Sequence, residues 1–267
     1  MTIPFTKAHG AGNDFLLTPA DRVPSADLAS LARAICNRHT GIGADGWILM
    51  RDALPDKIGI RLFNADGSEA EISGNGTRCA AALLIDSGRA TEEVTITTGA
   101  GPKHLRLLER QGKRFLFEMD MGRPVFHEHQ IHFLLPLRVG SREVTILDVG
   151  NPQCAVFVDE FPPDWETIAA EIEAHPHFPK RTNVSFVRRV DQHTIAVRFY
   201  ERGVGVTQSS GTGSTGAAVA AILRNVAASP VRVETGGGEA LTLRWNSSVY
   251  LTGPAELIGV GEFYVNL

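Results

Sequence analysis

The sequence predicts an α+β protein of two pseudo-symmetric halves, each a curved, mostly antiparallel sheet wrapped around a central buried helix. Three observations predict this fold: an internal repeat at a nearly constant offset, many short β-rich runs, and one small-apolar helical run in each half. The 267 residues suffice for two domains, each with its own core. We expect an N-terminal repeat over 1–118 and a C-terminal repeat over 119–255.

The internal repeat is visible when Arg61–Gly76 is set beside Arg198–Gly213 without a gap. At this single offset of 137, Asn64 matches Glu201 and the loop SGNG matches the loop SGTG. Further upstream, Gly12-Asn13 matches Gly150-Asn151 at an offset of 138. A constant offset across several matched elements indicates duplication of one structural unit.

The strands are predicted from short runs rich in β-branched and aromatic residues and bounded by Gly, Asp, Asn or Pro. They are KIGIRLFN, EVTITT, RFLFEMD, EVTILDV, CAVFVD, NVSFVRRV, TIAVRFY, VRVETG, ALTLRW and EFYVNL. The last of these, within 256–267, is expected to pack back on the first half.

Four helices are predicted: over DLASLARAICNRH, over DWETIAAEIEAH, and over the runs that follow SGNG and SGTG. The last two runs are rich in Ala and Leu on every side, which is typical of a buried helix rather than an amphipathic one.

Composition excludes several classes of protein. The formal net charge of −4 gives no electrostatic bias toward nucleic acid, and no basic stripe with interleaved aromatics is present. No run approaches the ~18 apolar residues of a membrane span, and the N-terminus lacks the pattern of a secretion signal. The three cysteines are too few and too scattered for a disulfide framework or a zinc site, so we expect a cytoplasmic protein without a metal.

Both small-apolar helices begin at a Ser-Gly-X-Gly loop. A helix start leaves free backbone N–H groups, and glycines let an anion such as a carboxylate approach them. Two such loops related by a repeat would place Ser73 and Ser210 on opposite faces of a bound molecule. This geometry suits inversion of a stereocentre, where a proton leaves one face and another arrives at the opposite face. The amides would stabilise the charge that develops on the carboxylate.

The motifs HGAGNDF, NADGSEAEISGNGTRC, GNP, TNV and ERGVGVTQSSGTG resemble, in order, those of the diaminopimelate epimerases. The resemblance covers nearly the whole chain. It implies a cofactor-independent enzyme that interconverts LL- and meso-diaminopimelate, a precursor of lysine and peptidoglycan, without pyridoxal phosphate. It also implies a diaminopimelate-like amino acid as the partner and a homodimer.

The resemblance assigns roles to particular residues. The non-reacting end of the substrate would be held by Asn13, Asn64, Asn151, Asn183, Glu201 and Arg202. The amides for the reacting carboxylate would come from Gly74, Asn75, Gly211 and Thr212. The two catalytic cysteines of the family fall at Ser73 and Ser210, which are serine in this chain.

Serine changes what the two positions do, because an aliphatic hydroxyl is a far weaker acid than a thiol and needs an adjacent base. Gln153, where the family commonly has His, and Val206, where it often has Glu, are further departures. Three hypotheses therefore stay open: an epimerase weakened or inactivated by serine, a different isomerase or dehydratase on the same scaffold, and a non-catalytic amino-acid-binding protein. Arg78, at the first turn after SGNG, is either paired with a Glu or solvated.

Overall fold

The structure is a computed structural model that describes residues 2–24, 27–54 and 57–265. It divides into two compact units, one made of Met1–Met119 with Gly253–Leu267 and the other of Asp120–Thr252. No helix in the described ranges is both long and apolar enough to cross a membrane.

The described part of the chain contains four α-helices: α1 (Leu28–Cys36), α2 (Gly74–Asp86), α3 (Trp165–Glu173) and α4 (Gly211–Leu223). The strands before Asp120 begin with β1 (Thr2–Gly10), β2 (Asn13–Pro19), β3 (Gly46–Leu54), β4 (Lys57–Asn64), β5 (Glu69–Ala70), β6 (Glu93–Thr98), β7 (Gly101–Gln111) and β8 (Arg114–Gly122). The later strands are β9 (Phe133–Pro136), β10 (Ser141–Asp148), β11 (Pro152–Phe157), β12 (Asn183–Arg189), β13 (Thr194–Glu201), β14 (Gly205–Thr207), β15 (Val231–Glu234), β16 (Leu241–Trp245) and β17 (Val249–Tyr264).

Strand pairing repeats from one unit to the other. In the first, β1–β2, β3–β4, β4–β5, β6–β7 and β7–β8 are antiparallel, whereas β2–β3 and β4–β6 are parallel. In the second, β10–β11, β12–β13, β13–β14, β15–β16 and β16–β17 are antiparallel, whereas β11–β12 and β13–β15 are parallel. Each parallel pair is joined through a helix, as parallel strands require a crossover. The α+β fold and the mostly antiparallel pairing are thus confirmed.

Most predicted strands are confirmed within a few residues, but seven of the described strands, β1, β2, β3, β5, β7, β9 and β14, were not predicted. The apolar run of β3 is buried on both faces, so it lacks the alternation that marks a half-buried strand. The predicted strand EFYVNL is the end of the much longer β17, which pairs with β1 from Thr2↔Tyr264 to His9↔Glu256. Its last residues, 266–267, lie outside the described ranges.

The two central helices, α2 and α4, are buried on nearly every side, as predicted. Eleven residues of each are buried, and most are Ala, Gly, Ser or Thr. Small side chains allow strands to approach a helix closely all round. At Gly76 of α2, for example, a Cβ would lie 2.9 Å from the Ile48 Cδ1 atom.

The two outer helices, α1 and α3, are amphipathic and cover the other face of each sheet. Helix α1 packs Leu31 and Ile35 against Trp47 of β3. Helix α3 packs Trp165 and its apolar neighbours against β11 and β12. Each unit therefore has an inner helix and an outer helix on opposite faces of its strands.

Candidate active site

The serine that precedes α2 is its N-cap. Ser73 has extended backbone angles (φ −130°, ψ 121°), and its Oγ accepts a hydrogen bond of 3.1 Å from the Gly76 N–H. The Ser73 carbonyl accepts from the Thr77 N–H at 2.9 Å and starts the helical pattern. The N–H groups of Gly74 and Asn75, at the start of the helix, precede the first intrahelical donors. They form the anion-binding end that the loop sequence predicts.

The serine that precedes α4 has the same geometry. Ser210 has φ −138° and ψ 123°, and its Oγ accepts from the Gly213 N–H at 3.0 Å. Gly213 must lack a side chain, because a Cβ there would lie 2.9 Å from Ser210 Oγ and 2.8 Å from the Phe199 ring. The two serines differ in exposure, since Ser210 is buried and Ser73 is only half-buried. The repeat is therefore preserved in backbone detail.

In the first unit, Asn13 is held by side chains at both ends of its amide. Its Nδ2 donates to Asp45 Oδ2 at 2.7 Å, and its Oδ1 accepts from Asn75 Nδ2 at 3.2 Å. Asn13 follows a two-residue turn, Ala11–Gly12, in which both φ angles are positive (52° and 83°), as in a type I′ hairpin. His9 accepts from the Gly12 N–H at 3.3 Å, so a turn hydrogen bond, rather than catalysis, accounts for this histidine.

The buried side chain of Arg78 holds the start of α2 in place. It is fully buried and donates from Nη2 to Asn75 Oδ1 at 2.5 Å, from Nη1 to the Gly74 carbonyl at 3.2 Å and from Nε to the Pro254 carbonyl at 3.0 Å. The interpretation of Arg78 as a solvated helix residue is thus wrong. Its spacing on the helix gave no hint that Pro254, far along the chain, would lie beside it.

A cluster of charged side chains holds Asp45, the hydrogen-bond partner of Asn13, in place. Arg38 Nη2 lies 2.7 Å from both Asp14 Oδ1 and Asp45 Oδ1, and Lys7 Nζ lies 3.1 Å from Asp14 Oδ2. Burial raises the pKa of Asp14, but the hydrogen bonds and charges of Arg38 and Lys7 outweigh it and hold that pKa below its usual value. Asp45 therefore reaches Asn13 as part of a fixed ionic network, which the sequence did not reveal.

In the second unit, Asn151 is held in the corresponding way by different chemistry. Its Nδ2 donates to Thr212 Oγ1 at 3.3 Å, and its Oδ1 accepts from Gln153 Nε2 at 2.6 Å. Gln153 is buried beneath α4, since a Cβ on Gly216 would lie 2.8 Å from its Cγ. Within the described residues, Gln153 Oε1 is a buried acceptor without a hydrogen-bond partner.

The ERGVG loop is positioned by two buried side chains. Asn183 Oδ1 accepts from the Arg202 N–H at 3.1 Å. Glu173, at the end of α3, accepts from the Gly203 N–H at 3.1 Å and pairs with Arg181 at 3.2 Å. Glu201 accepts from Thr207 Oγ1 at 2.8 Å. Sequence reasoning missed Glu173, because a Glu at the end of an amphipathic helix normally faces solvent.

Asn64 ends β4, donates to Ser68 Oγ at 3.0 Å and lies opposite Gly46, next to Asp45. Within each unit, the structure thus brings the cap serine, the following Gly-X pair and one Asn to the same helix start. Asn64 lies in its own turn, and Asn183 with Arg202 belongs to the ERGVG loop.

Neither Cys79 nor Cys154 can take the place of the catalytic cysteines that the family has at the positions of Ser73 and Ser210. Cys79 lies inside α2 and Cys154 in β11, and both are fully buried. Burial raises the pKa of Cys79 to about 12 and that of Cys154 further, so neither is a ready thiolate. Both are small residues of the core.

A family model described as "Diaminopimelate epimerase" matches residues 5–127 and 145–258. The chain belongs to the diaminopimelate epimerase family. It is 36% identical over 282 residues to the diaminopimelate epimerase of Halothermothrix orenii, covering 99% of each chain. It is 39% identical over 288 residues to that of Aromatoleum aromaticum, covering 100% of each. The family match thus extends over both repeats.

Solved structures share the fold at low sequence identity. A probable proline racemase from Agrobacterium radiobacter has a TM-score of 0.75 at 15% identity, covering 99% of this chain and 93% of its own. A PhzF-family phenazine biosynthesis protein from Bacillus anthracis has a TM-score of 0.72 at 15% identity, covering 99% and 100%. These similarities support the fold of the diaminopimelate epimerase family seen here.

Proposed function

We propose that this chain is a cofactor-independent amino-acid epimerase that binds diaminopimelate and exchanges its α-proton between two faces. The observation that carries the proposal is the pair of serine-capped helix starts, which have the same geometry in both repeats of a chain belonging to this family. Each start offers backbone N–H groups to a carboxylate, and each lies beside an asparagine clamped at both ends of its amide. The reaction would interconvert LL- and meso-diaminopimelate.

In this proposal the reacting carboxylate is bound by the N–H groups of Gly74, Asn75, Gly211 and Thr212. The distal amino-acid end is bound by Asn13, Asn64, Asn151, Asn183, Glu201 and Arg202. The fixed loop around Arg202 supports this assignment, because Asn183 and Glu173 hold its backbone in one conformation. A pre-formed site loses less conformational entropy when the ligand binds.

Ser73 and Ser210 occupy the two proton-transfer positions. Each Oγ already accepts a helix N–H, so its own hydrogen points away from that bond and is available to donate to a ligand. A hydroxyl gives up its proton far less readily than a thiol, so we expect tight binding with slow proton exchange. Serine in place of cysteine thus slows proton transfer more than it weakens substrate binding.

The test is α-proton exchange in heavy water. LL-diaminopimelate is incubated with the unchanged chain and with Ser73→Cys/Ser210→Cys, and the α-signal is followed by NMR, with binding measured by calorimetry. We expect both forms to bind and the double variant to exchange and invert the α-carbon faster, by at least a hundredfold, an order of magnitude in line with general acid–base contributions.

Single variants provide the matched control. With one thiol, a proton is removed from and returned to the same face, so the single variant whose thiol faces the α-hydrogen of LL-diaminopimelate should exchange deuterium without efficient inversion. The other single variant, Ser73→Cys or Ser210→Cys, has serine on that face and should exchange as slowly as the unchanged chain. Exchange by the unchanged chain at the rate of the double variant would contradict the role given to the serines. Absence of both binding and exchange in all forms would overturn the substrate assignment.

A second candidate is a different isomerase or a dehydratase on the same scaffold. It is favoured by Gln153, which replaces an imidazole with an amide, and by the half-exposed Val206 in the ERGVGV segment. Binding of an unsaturated dicarboxylate in place of diaminopimelate, measured by the same calorimetry, would support this candidate.

We also propose that the protein is a cytoplasmic homodimer. Its support is an exposed apolar pair on β17, where Val260 is 84% exposed and Tyr264 is 74% exposed. The two lie four residues apart on one strand, so both side chains point to the same face. Large exposed apolar side chains that cluster on one face commonly mark a protein interface.

A further inference from the structure

A cavity of about 470 Å³ lies in the first unit, away from the cap of α2. It is lined by residues of β3, β4 and β6 and by the segment that leads into α1. Successive residues of a strand point to opposite faces. On β3, Ile48 faces α2 and touches the position of Gly76, whereas Leu49 lines the cavity. The cavity and the Ser73 loop are therefore on opposite faces of these strands.

A glycine opens the floor of this cavity. Arg51, Gly59 and Thr97 are register partners across β3, β4 and β6, so they form one row. Adjacent strands are about 4.8 Å apart, which places Arg51 and Thr97 about 10 Å from each other, with the missing side chain between them. A Cβ on Gly59 would meet only the Arg51 carbonyl oxygen, at 3.8 Å. The space above Gly59 is thus open and large enough for a side chain.

One arginine of the cavity lining has no ion partner among the residues that the structure describes. Arg51 is exposed and has neither a hydrogen bond nor an ion pair with any described residue. The other lining arginine, Arg61, is already engaged, because it donates two hydrogen bonds of 2.8 Å to Glu69. The opposite wall is apolar and includes Val23, Leu28 and Leu49.

We propose that this cavity is a second binding site, separate from the active site, for a small molecule with an apolar body and one carboxylate. Its volume lies in the range of about 300–1,000 Å³ that is usual for small-molecule sites. The apolar wall would cover the body of the ligand. The guanidinium of Arg51 would pair with the carboxylate, and the Thr97 hydroxyl, which makes no hydrogen bond among the described residues, would donate to it. A dicationic or strongly polar amino acid would not fit this combination.

Octanoate is the probe for the test. It is titrated into the ¹⁵N-labelled protein, and amide shifts are followed by ¹H–¹⁵N NMR, with octanol as the uncharged comparison. We expect saturable shifts at the amides of Leu49, Gly59 and Thr97, and weaker binding of octanol. Gly59→Leu fills the floor and should abolish the shifts, whereas Arg51→Gln should weaken octanoate binding about fivefold, as the loss of an exposed ion pair would.

Arg22→Gln is the matched control, because it removes the same charge from the same unit at a position that does not line the cavity. It should leave octanoate binding unchanged. The proposal is overturned if the three amides do not shift saturably, or if Gly59→Leu binds octanoate as the unchanged chain does. It is also overturned if Gly59→Leu halves the mass measured by light scattering, since the cavity would then belong to a contact between two copies.

Discussion

Two asparagines at matched positions are clamped by opposite chemistry. At Asn13, a carboxylate accepts from the amide nitrogen and Asn75 donates to the amide oxygen. At Asn151, Thr212 accepts from the nitrogen and Gln153 donates to the oxygen. In both cases one N–H and one lone pair of the amide are left over for a ligand. Asn75 and Thr212 occupy equivalent helix positions, so the amide oxygen of Asn13 and the amide nitrogen of Asn151 face the helix, and the amide is held at both ends in opposite orientations.

Gln153 is therefore expected to be a positioning residue for the proposed substrate. Gln153→Met keeps the buried volume but removes the donor to Asn151, so calorimetry should show an affinity for diaminopimelate lower by about five- to tenfold. The free energy of unfolding should change by less than about 1 kcal/mol, because the substitution also removes a buried acceptor without a partner in the described chain. Gln153→His, whose ring N–H can donate, should restore most of the affinity.

The control for this substitution is Gln111→Met, at the exposed last residue of β7. It makes the same chemical change away from the proposed site and should not affect binding. Equal affinity of Gln153→Met and the unchanged chain would show that the clamp on Asn151 does not contribute to recognition.

At the scale of elements, the same serine side chains serve structure and proposed function together. The Oγ atoms of Ser73 and Ser210 satisfy helix N–H groups that would otherwise be buried without a partner. The sequence predicts both caps, because Ser before a helical run is a strong N-cap signal. Replacing serine at these positions thus affects helix stability as well as chemistry.

Ser73→Ala and Ser210→Ala should each lower the free energy of unfolding by about 1 kcal/mol, the usual effect of losing an N-cap. Urea denaturation followed by circular dichroism is the measurement. Ser247→Ala, in an exposed turn between β16 and β17, is the control and should change stability by less than half as much. If neither cap substitution differs from the control, the two hydrogen bonds do not stabilise the helices.

On the scale of the whole molecule, duplication governs the topology. Each unit repeats the same antiparallel and parallel pairings. In each, the outer helix (α1 or α3) joins the first pair of parallel strands, and the inner helix (α2 or α4) joins the second pair. Strand β17 continues past the end of the second unit and pairs with β1, as β9 pairs with β10. The chain therefore begins and ends in the same unit.

The homodimer proposal gives a prediction at this scale. Val260→Glu/Tyr264→Lys should convert a dimer to a monomer, because charged side chains at the centre of an apolar contact would be desolvated. Size-exclusion chromatography with light scattering measures the mass. Val139→Glu, at a 96% exposed valine of the second unit, is the control and should leave the mass unchanged. A monomeric unchanged chain would contradict the proposal at once.

The sequence by itself determined the duplication, the α+β class, the four helices and both serine-capped loops. The helices and the capped loops are local features, encoded by residue type and spacing within about fifteen positions, and the duplication is visible because such local patterns recur at a fixed offset. The tertiary structure decided what lies beside each loop: Asp45 and Arg38 behind Asn13, Pro254 beside Arg78, and Glu173 under the ERGVG loop. It also decided that Gly59 opens a cavity. These contacts join residues far apart in the chain, and their geometry follows from strand register and packing, which no local pattern specifies.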